Sequence, residues 1–587
     1  MTTTSATSST SSTAATTSST SSTSSSSDTS STSSTSNTTN LDDIDWNGLI
    51  EEAVQAKLDK ADAIDLKVTD NEAKISAYEQ MQTLLGSVET AANALRAPSG
   101  TSNTSTDVFQ SRAAYLTANG DVDASSTLSA TVVAGSTKGS YDLTVSQLAK
   151  SEKVAGTATD SETTDLGYSG VIAIGTDSSS LTDITITSGM TLDEVAEAIN
   201  YESDTTGVQA SILKVSSSQY QLVLSTTETG ETITANSVSG DDVLNELGVT
   251  DSSGDFSDVL QQSAQAIFTV DGVTITRSSN DIDDVIDGVT LHLYQTTPDQ
   301  TSVTVEIGTD VSKVETAVSD LVTAYNAYRD FAYDQQQTST ASDGTTTASS
   351  SSVLFGDSTL RNINDALSAA LNVTVNSDSM ALLGLSLNDK NELELDTETL
   401  DSALLNNLDD VQNLLSFQMD SSSSSLRLLS RGETVPGDFT LDIATDSSGA
   451  ITGASVNGDS SMFTVSGTRI IGATGTAYAG YTFVYTGSTS TSVDLSFSSG
   501  IAEHLYNSSD DASNTDTGSL QTLIDNLTTT DDTLQNQSDD IKSQAATYKT
   551  NLTNRYAKYQ SAISAAESSL NYLTTLINTW NATSSSS

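Results

Sequence analysis

The sequence of 587 residues contains no cysteine, which excludes disulfides, thiolate metal sites and cysteine-based catalysis. Its two histidines, His292 and His504, are too few for a histidine zinc cluster, and neither is expected to act as a catalytic base. No nucleophile elbow surrounds a serine, and no glycine-rich segment has the context of a phosphate loop. We therefore predict a protein that is not an enzyme, with no catalytic residues, no cofactor and no metal.

Basic residues are also scarce. The chain has 22 lysines and arginines against 77 aspartates and glutamates, a net charge of -55. Such a charge repels nucleic acid and anionic membrane surfaces, so the expected partners are other proteins. No stretch approaches the roughly 18 to 20 apolar residues that span a bilayer, so no membrane span is expected.

Large side chains are few: aromatic residues make up 5% of the chain and hydrophobic residues 35%. Serine and threonine dominate the polar remainder. This composition favours small β domains over one large core, and the length allows about three to five domains.

Residues 1–40 are almost entirely serine and threonine, with one acidic residue, Asp28, and no lysine or arginine. Such a segment cannot bury enough surface to offset its ordering entropy, so we predict a disordered leader. It has no apolar core of a secretory signal. Its functional interpretation is an unfolded leader for a dedicated export channel, and the alternative is a low-complexity tail without a specific role.

What the chain does have is a heptad pattern near each end. Residues 46–95 contain no proline, and their apolar positions are spaced by three, four or seven residues, with one three-residue slip. Pro98 and Gly100 are predicted to end this helix, which would be about 75 Å long. The seam positions are Val54, Ala61, Ile64, Val68, Ile75, Tyr78, Met81, Leu85, Val88, Ala92 and Leu95.

The second heptad segment runs from Leu520 to Trp580 and is the most regular repeat in the chain. Polar residues that weaken a two-helix seam interrupt the two stripes at Lys57, Asn71, Asp531 and Ser538. We therefore expect the ends to be marginally helical alone and to become ordered by packing with other subunits. The alternative is an antiparallel pair within one chain.

The middle of the chain is β-rich. Apolar and polar residues alternate over residues 128–134 and again over residues 141–145, which predicts a hairpin that turns near residues 135–139. Thr191 and Glu194 have the spacing of a capping box at the start of a helix.

Two further turns are predicted at Asp271-Gly272 and Asp287-Gly288, since both dipeptides favour tight hairpins. Residues 338–352 are predicted to be a flexible loop because of their serine and threonine run.

Several of these segments, in this order, resemble one family. The stretches GSYDLTVSQLAKSEKVAG, FTVDGVTITRSSNDIDDVIDGVTLHL and LGLSLNDKNELELDTETLDSALLNNLDDVQNLL are similar to the flagellar filament-capping proteins, also called the hook-associated protein 2 family. The resemblance covers most of residues 41–418 and, more weakly, the closing heptads. The serine/threonine leader and the region 426–497 depart from it, because the leader is unusually long and the region looks like an inserted β domain.

The resemblance implies a secreted homo-oligomer, a ring of a few subunits at the distal tip of the bacterial flagellum, which promotes folding and insertion of exported flagellin. Its implied partners are itself, flagellin, the hook-filament junction protein, and the flagellar export apparatus with its chaperone. The alternative from another class is a secreted adhesin or surface-binding module on a coiled stalk. Heptads at both ends favour the cap, because adhesins usually anchor at one end.

The predicted fold class is α+β and multidomain, with a terminal coiled-coil helical stalk and β-rich head domains. The predicted domains are a disordered leader (1–40), an N-terminal coiled-coil helix (41–97), β-rich head domains (107–308), a helical leg region (309–418), a β-rich insertion (426–500) and a C-terminal coiled-coil helix (505–583). The residues predicted to pack the legs in an oligomer, or else an intramolecular core, are Ile64, Val68, Ile75, Leu85, Leu552, Ile563, Leu570, Leu573 and Ile577.

Overall fold

The computed structural model describes residues 45–97, 107–340, 342–343, 345–432 and 434–584. The chain divides into two units, one made of residues 1–67 and 533–587 and the other of residues 68–532. The predicted disordered leader and the predicted helix end at Pro98 and Gly100 lie outside the described residues. Among the helices of the described part, none combines the length and apolarity needed to cross a membrane.

Two long helices contribute to both units: α1 (Trp46–Leu95) with 50 residues and α11 (Ser519–Ser584) with 66 residues. In the first unit they pack antiparallel, because Trp46 contacts Tyr556 while Asp65 contacts Lys542. Its small core consists of Ile50, Val54, Ala545 and Leu552. The antiparallel pair within one chain, which the sequence left as the alternative, is therefore present.

The second unit contains a helical domain that includes the rest of α1 and the start of α11. It adds α6 (Val311–Asp334), α7 (Ser358–Leu371), α8 (Thr397–Asn406), α9 (Leu408–Leu415) and α10 (Ile501–Ser513). Two short hairpins, β16 (Thr338–Thr340) with β17 (Thr346–Ala348) and β18 (Leu385–Leu387) with β19 (Leu393–Leu395), accompany them. The first hairpin lies inside the segment predicted to be a loop. Apolar seam residues of α1, including Met81, Leu85 and Val88, are fully buried in this core beside Tyr325 and Tyr328.

The first β domain holds two antiparallel sheets. The five-stranded sheet has the order β1 (Arg112–Asn119), β15 (Ser302–Thr309), β3 (Gly139–Gln147), β11 (Ala266–Val270) and β12 (Val273–Arg277). The three-stranded sheet has the order β13 (Asp281–Ile286), β14 (Val289–Leu293) and β2 (Leu128–Val132), and a short helix α2 (Ala124–Thr127) precedes β2.

The predicted hairpins of this domain have mixed outcomes. The turns at Asp271-Gly272 and Asp287-Gly288 are confirmed, since they join β11 to β12 and β13 to β14. The predicted pairing of β2 with β3 is wrong: β2 pairs with β14, and β3 pairs with β15 and β11. Each strand buries its apolar face in the same core but hydrogen-bonds within a different sheet.

The second β domain is built around its own core. One sheet has the order β10 (Asp258–Gln261), β4 (Lys153–Ala155), β8 (Gln219–Thr226) and β7 (Val208–Ser216), and the other β6 (Thr182–Ile186), β5 (Gly170–Gly175) and β9 (Thr234–Gly240). Three helices belong to it: α3 (Leu192–Tyr201), α4 (Ser203–Thr206) and α5 (Val243–Glu246). The predicted capping box is confirmed, because Thr191 and Glu194 each accept a hydrogen bond from the other's backbone amide.

A β-sandwich between α9 and α10 completes the second unit. Its first sheet has the order β20 (Gln418–Ser421), β27 (Thr491–Ser498), β22 (Phe439–Thr445) and β23 (Ile451–Val456). Its second sheet has the order β21 (Leu426–Ser430), β26 (Thr482–Tyr485), β25 (Arg469–Gly472) and β24 (Phe463–Ser466). Short 3-10 helices occur at Val108–Gln110, Met380–Leu383 and Ser460–Met462. With long terminal helices and separate β-rich domains, the predicted α+β, multidomain class is confirmed.

Candidate assembly surfaces

In the first unit, the predicted leg residues fall into two groups. Leu552 belongs to the small core and is 3% exposed, while Ile64 and Ile563 are half-buried. Leu570, Leu573 and Ile577 are 63%, 54% and 55% exposed. They lie at a spacing of three and four residues on α11, so their side chains follow one side of the helix. Intramolecular packing therefore uses Leu552 and leaves this apolar stripe at the surface.

The predicted leg residues of the second unit lie on α1 and face inward. Leu85 is fully buried and Val68 is 8% exposed, while Ile75 is half-buried and packs against the helical core. Their side chains thus serve packing within the chain. A role in subunit contacts stays a prediction for all nine residues.

The polar residues that interrupt the heptads have partners on the facing helix. In the second unit, Asn71 donates a hydrogen bond of 2.6 Å to Asp531. In the first unit, the ammonium of Lys57 lies over the ring of Tyr548, 4.8 Å from its centroid. Polar pairs of this kind fix the register of a helix pair at some cost in stability.

Asp65 is the centre of a second polar group in the first unit. It accepts hydrogen bonds from Lys542 at 2.8 Å and from Ser538 at 2.5 Å. The hydrogen bonds from Lys542 and Ser538 lower the pKa of the Asp65 carboxyl. The same hydrogen bond between Lys542 and Asp65 raises the pKa of the Lys542 ammonium. These contacts join α1 to α11 at one defined register.

A buried ionic network joins the helical domain to the β-sandwich. The carboxylate of Glu503 on α10 is fully buried. It lies 3.4 Å from Arg96, which directly follows α1, and 2.8 Å from Arg431, which follows β21. The guanidinium of Arg96 stacks on Tyr506, and that of Arg431 lies over Phe417. A carboxylate between two stacked guanidinium groups keeps its charge compensated in a desolvated site.

Backbone contacts support the same junction. The amide of Phe417 donates to the carbonyl of Arg96 at 3.2 Å, and the amide of Gly500 donates to the carbonyl of Ser416 at 3.1 Å. Both crossings between the helical domain and the sandwich are therefore hydrogen-bonded. Asp107 lies nearby, where burial raises the pKa of its carboxyl against the opposing effect of its hydrogen bonds and of Arg112 and Arg431.

Sequence reasoning missed this network. Its members are separated by up to 407 residues, so no local pattern connects them. One signal was available: Arg427, Arg431 and Arg469 are the only lysine or arginine residues between Lys390 and Lys542. Within the described ranges, no group of three or more histidine, aspartate or glutamate side chains could hold a metal ion.

Three protein-family models match parts of this chain. The family model for the flagellar hook-associated protein 2 C-terminus matches residues 263–568, more than half of the chain, and the model for the N-terminus of the same protein matches residues 42–152. The chain belongs to the flagellar hook-associated protein 2 family. A flagellin hook IN motif matches residues 171–228, within the second β domain.

Relatives within the hook-associated protein 2 family agree with this assignment. The protein of Escherichia coli K12 is 30% identical over 346 residues, covering 57% of this chain and 69% of its own length. The B-type protein of Pseudomonas aeruginosa is 27% identical over 347 residues, covering 56% and 70%. A crystal structure of the Escherichia coli flagellar cap protein FliD, domains D1 to D3, is 26% identical and covers 58% of this chain and 89% of its own, with a TM-score of 0.41.

As a member of the hook-associated protein 2 family, this chain is a flagellar cap protein located at the tip of the filament. The family is structural, and its members form an oligomeric cap that interacts with flagellin. The adhesin alternative is not favoured.

Proposed function

We propose that several copies of this chain form a ring. In this ring, the carboxyl-terminal part of α11 supplies the surface through which each copy contacts its neighbours or the filament. The observation that carries this proposal is the exposed stripe Leu570, Leu573 and Ile577. Covering these apolar side chains with a partner stabilises the complex by about 25 cal/mol for each Å² of apolar surface removed from water.

Within this ring, the cap guides exported flagellin as it folds and inserts, without a catalytic step. The hook-filament junction protein, the flagellar export apparatus and its chaperone are the further proposed partners.

A truncation that tests this proposal must leave the core residues at the start of α11 in place. Leu520 and Ile524 belong to the core of the helical domain, so a deletion that starts at residue 520 would damage the fold as well as the leg. A truncation after Tyr556 instead retains the core of the first unit and its contact between Trp46 and Tyr556. We expect the truncated chain to keep the β domains folded and to lose filament capping.

A sharper variant replaces Leu570, Leu573 and Ile577 with serine. Cells that produce it are expected to release flagellin monomer into the medium and to grow short filaments. The matched control replaces the exposed polar residues Ser564, Ser568 and Asn571 of the same helix with alanine. Normal filaments in cells with the triple serine variant would contradict the proposal.

A further inference from the structure

The two outer faces of the β-sandwich carry opposite charge. The four strands β21, β24, β25 and β26 contain two arginines, Arg427 and Arg469, and no acidic residue. The four strands of the other sheet contain three aspartates, Asp420, Asp442 and Asp494, and no basic residue. The chain as a whole has 77 acidic and 22 basic residues, so this sheet is locally more basic than the rest of the chain.

Strand register places both arginines on the same outer face. Arg427 and Arg469 are each paired with Val484, from opposite sides of β26, and both are exposed. The residues next to them in the strands, Leu426 and Ile470, face the core. Two strand spacings separate the arginines, which is about 10 Å. Neither arginine has an ion-pair partner among the described residues.

Apolar side chains accompany these arginines. Leu429 on β21 is 40% exposed, and Val484 and Ile471 are half-buried. We call the outer surface of this sheet, with Arg427, Leu429, Ile471, Arg469 and Val484, the basic face.

The opposite sheet provides a complementary surface, which we call the acidic face: Asp420, Asp442 and Asp494 with the hydroxyl residues around them. Asp494 accepts a hydrogen bond of 2.7 Å from Thr440, and Asp442 accepts one of 2.5 Å from Ser492. These two aspartates lie on neighbouring strands, two residues apart in register, so about 7–8 Å separates them.

The acidic face is also indented. One open depression of about 560 Å³ is lined by Asp420, Asp438 and Asp494, and another of about 570 Å³ is lined by Asp442 and Ser492. Each is large enough to receive an arginine side chain. The two aspartates, about 7–8 Å apart, are closer together than the two arginines, about 10 Å apart, and the long arginine side chains can span the difference.

We propose that the basic face of one sandwich docks onto the acidic face of the sandwich in a second copy of this chain. The argument for a second copy is charge complementarity: copies that each carry -55 repel one another overall, so association needs a local surface of opposite sign. Contact between two different faces is heterologous, and such contacts close into a ring when the rotation between copies permits it.

This proposal rests on the ring proposed above, but it uses a surface separate from α11. The test uses the full-length chain and measures self-association by sedimentation velocity at low and at high salt. We expect the unmodified chain to associate, and to do so less at high salt because the charges are screened.

Charge-reversal variants test the basic face and the acidic face individually. The variant Arg427→Glu/Arg469→Glu and the variant Asp442→Lys/Asp494→Lys are each expected to weaken self-association by about tenfold or more, since each places like charges opposite one another. An equal mixture of the two variants is expected to regain association, because every contact in an alternating assembly is again between opposite charges. Circular dichroism of each variant checks that it is folded.

The matched control for the arginine variant is Lys138→Glu/Arg361→Glu, which changes the net charge equally at exposed positions outside the sandwich. We expect it to associate like the unmodified chain. If both face variants associate normally, or if the control weakens association equally, the docking proposal is wrong while the ring stands. If the unmodified chain is monomeric at every salt concentration, the ring and this docking mode both fail.

Discussion

Asn71 on α1 donates a hydrogen bond of 2.6 Å to Asp531 on α11, although 460 positions separate the two residues in the sequence. Asp531 is 9% exposed, and its second carboxylate oxygen has no hydrogen-bond partner in the described structure. The amide of Asn71 is thus an important source of compensation for a buried negative charge.

Replacing Asn71 with alanine is expected to lower the free energy of unfolding by about 1–3 kcal/mol, because Asp531 is then left without this donor. Unfolding in guanidinium chloride measures the loss. The double variant Asn71→Leu/Asp531→Leu should recover most of it while weakening the choice of register, since no polar pair then selects one alignment. Unchanged stability of Asn71→Ala would contradict this account.

Glu503 is the residue on which the junction between helices and sandwich depends. Its replacement by alanine leaves Arg96 and Arg431 buried without their shared carboxylate. We expect a loss of about 3–5 kcal/mol in the free energy of unfolding, measured by calorimetry or denaturant titration. The apolar variant Glu503→Leu/Arg96→Met/Arg431→Met is the control and should restore much of the stability. Equal stability of the single and triple variants would show that charge compensation does not matter here.

Ionisation of Tyr481 is expected to destabilise the sandwich at alkaline pH. Burial raises the pKa of its hydroxyl from 10.0 to about 12, and the hydroxyl donates a hydrogen bond of 3.0 Å to the carbonyl of Thr434. Because the pKa is higher in the folded state, the stability that the neutral Tyr481 hydroxyl contributes is fully present below pH 10. It is lost as the pH rises from 10 to about 12.

The variant Tyr481→Phe should therefore show a flatter loss of unfolding free energy between pH 10 and about 12 than the unmodified chain. Tyr201→Phe is the control, because the side chain of Tyr201 is 85% exposed. The same pH slope in Tyr481→Phe and in the unmodified chain would show that this tyrosine does not ionise on unfolding.

The capping box of α3 gives a local test. Thr191→Ala removes the hydroxyl that accepts from the amide of Glu194, and should cost about 1 kcal/mol of unfolding free energy. Thr191→Ser keeps the hydroxyl and should cost much less. Thermal unfolding of the two variants compares them, and an equal shift would mean that the hydroxyl is not the stabilising group.

Features with a local physical cause could be predicted from the sequence. The heptads of α1 and α11, the capping box at Thr191 and the tight turn at Asp271-Gly272 each depend on residues close together in the chain. The positive φ angles of Asp271 and Gly272, 51° and 79°, are those that an Asp-Gly hairpin turn requires.

Features that depend on distant partners could not be predicted. The alternation in β2 and β3 indicates strands but does not select their neighbours, so the predicted hairpin was wrong. The pairing of Arg96 with Glu503 and Arg431 has no local signature either, because burial and charge compensation arise only once the domains meet. For the predicted leg residues, periodicity identified the apolar stripe but not that Leu85 is used inside the chain whereas Leu573 is exposed.

The antiparallel pairing of α1 with α11 also sets a temporal constraint. The segment that forms α1 precedes the segment that forms α11 by more than four hundred residues. It therefore emerges first from the ribosome, or from any narrow channel that the chain enters amino end first. The β domains between them can close as they appear, whereas the helix pair must wait. The two terminal helices can therefore pair only after the β domains between them have emerged.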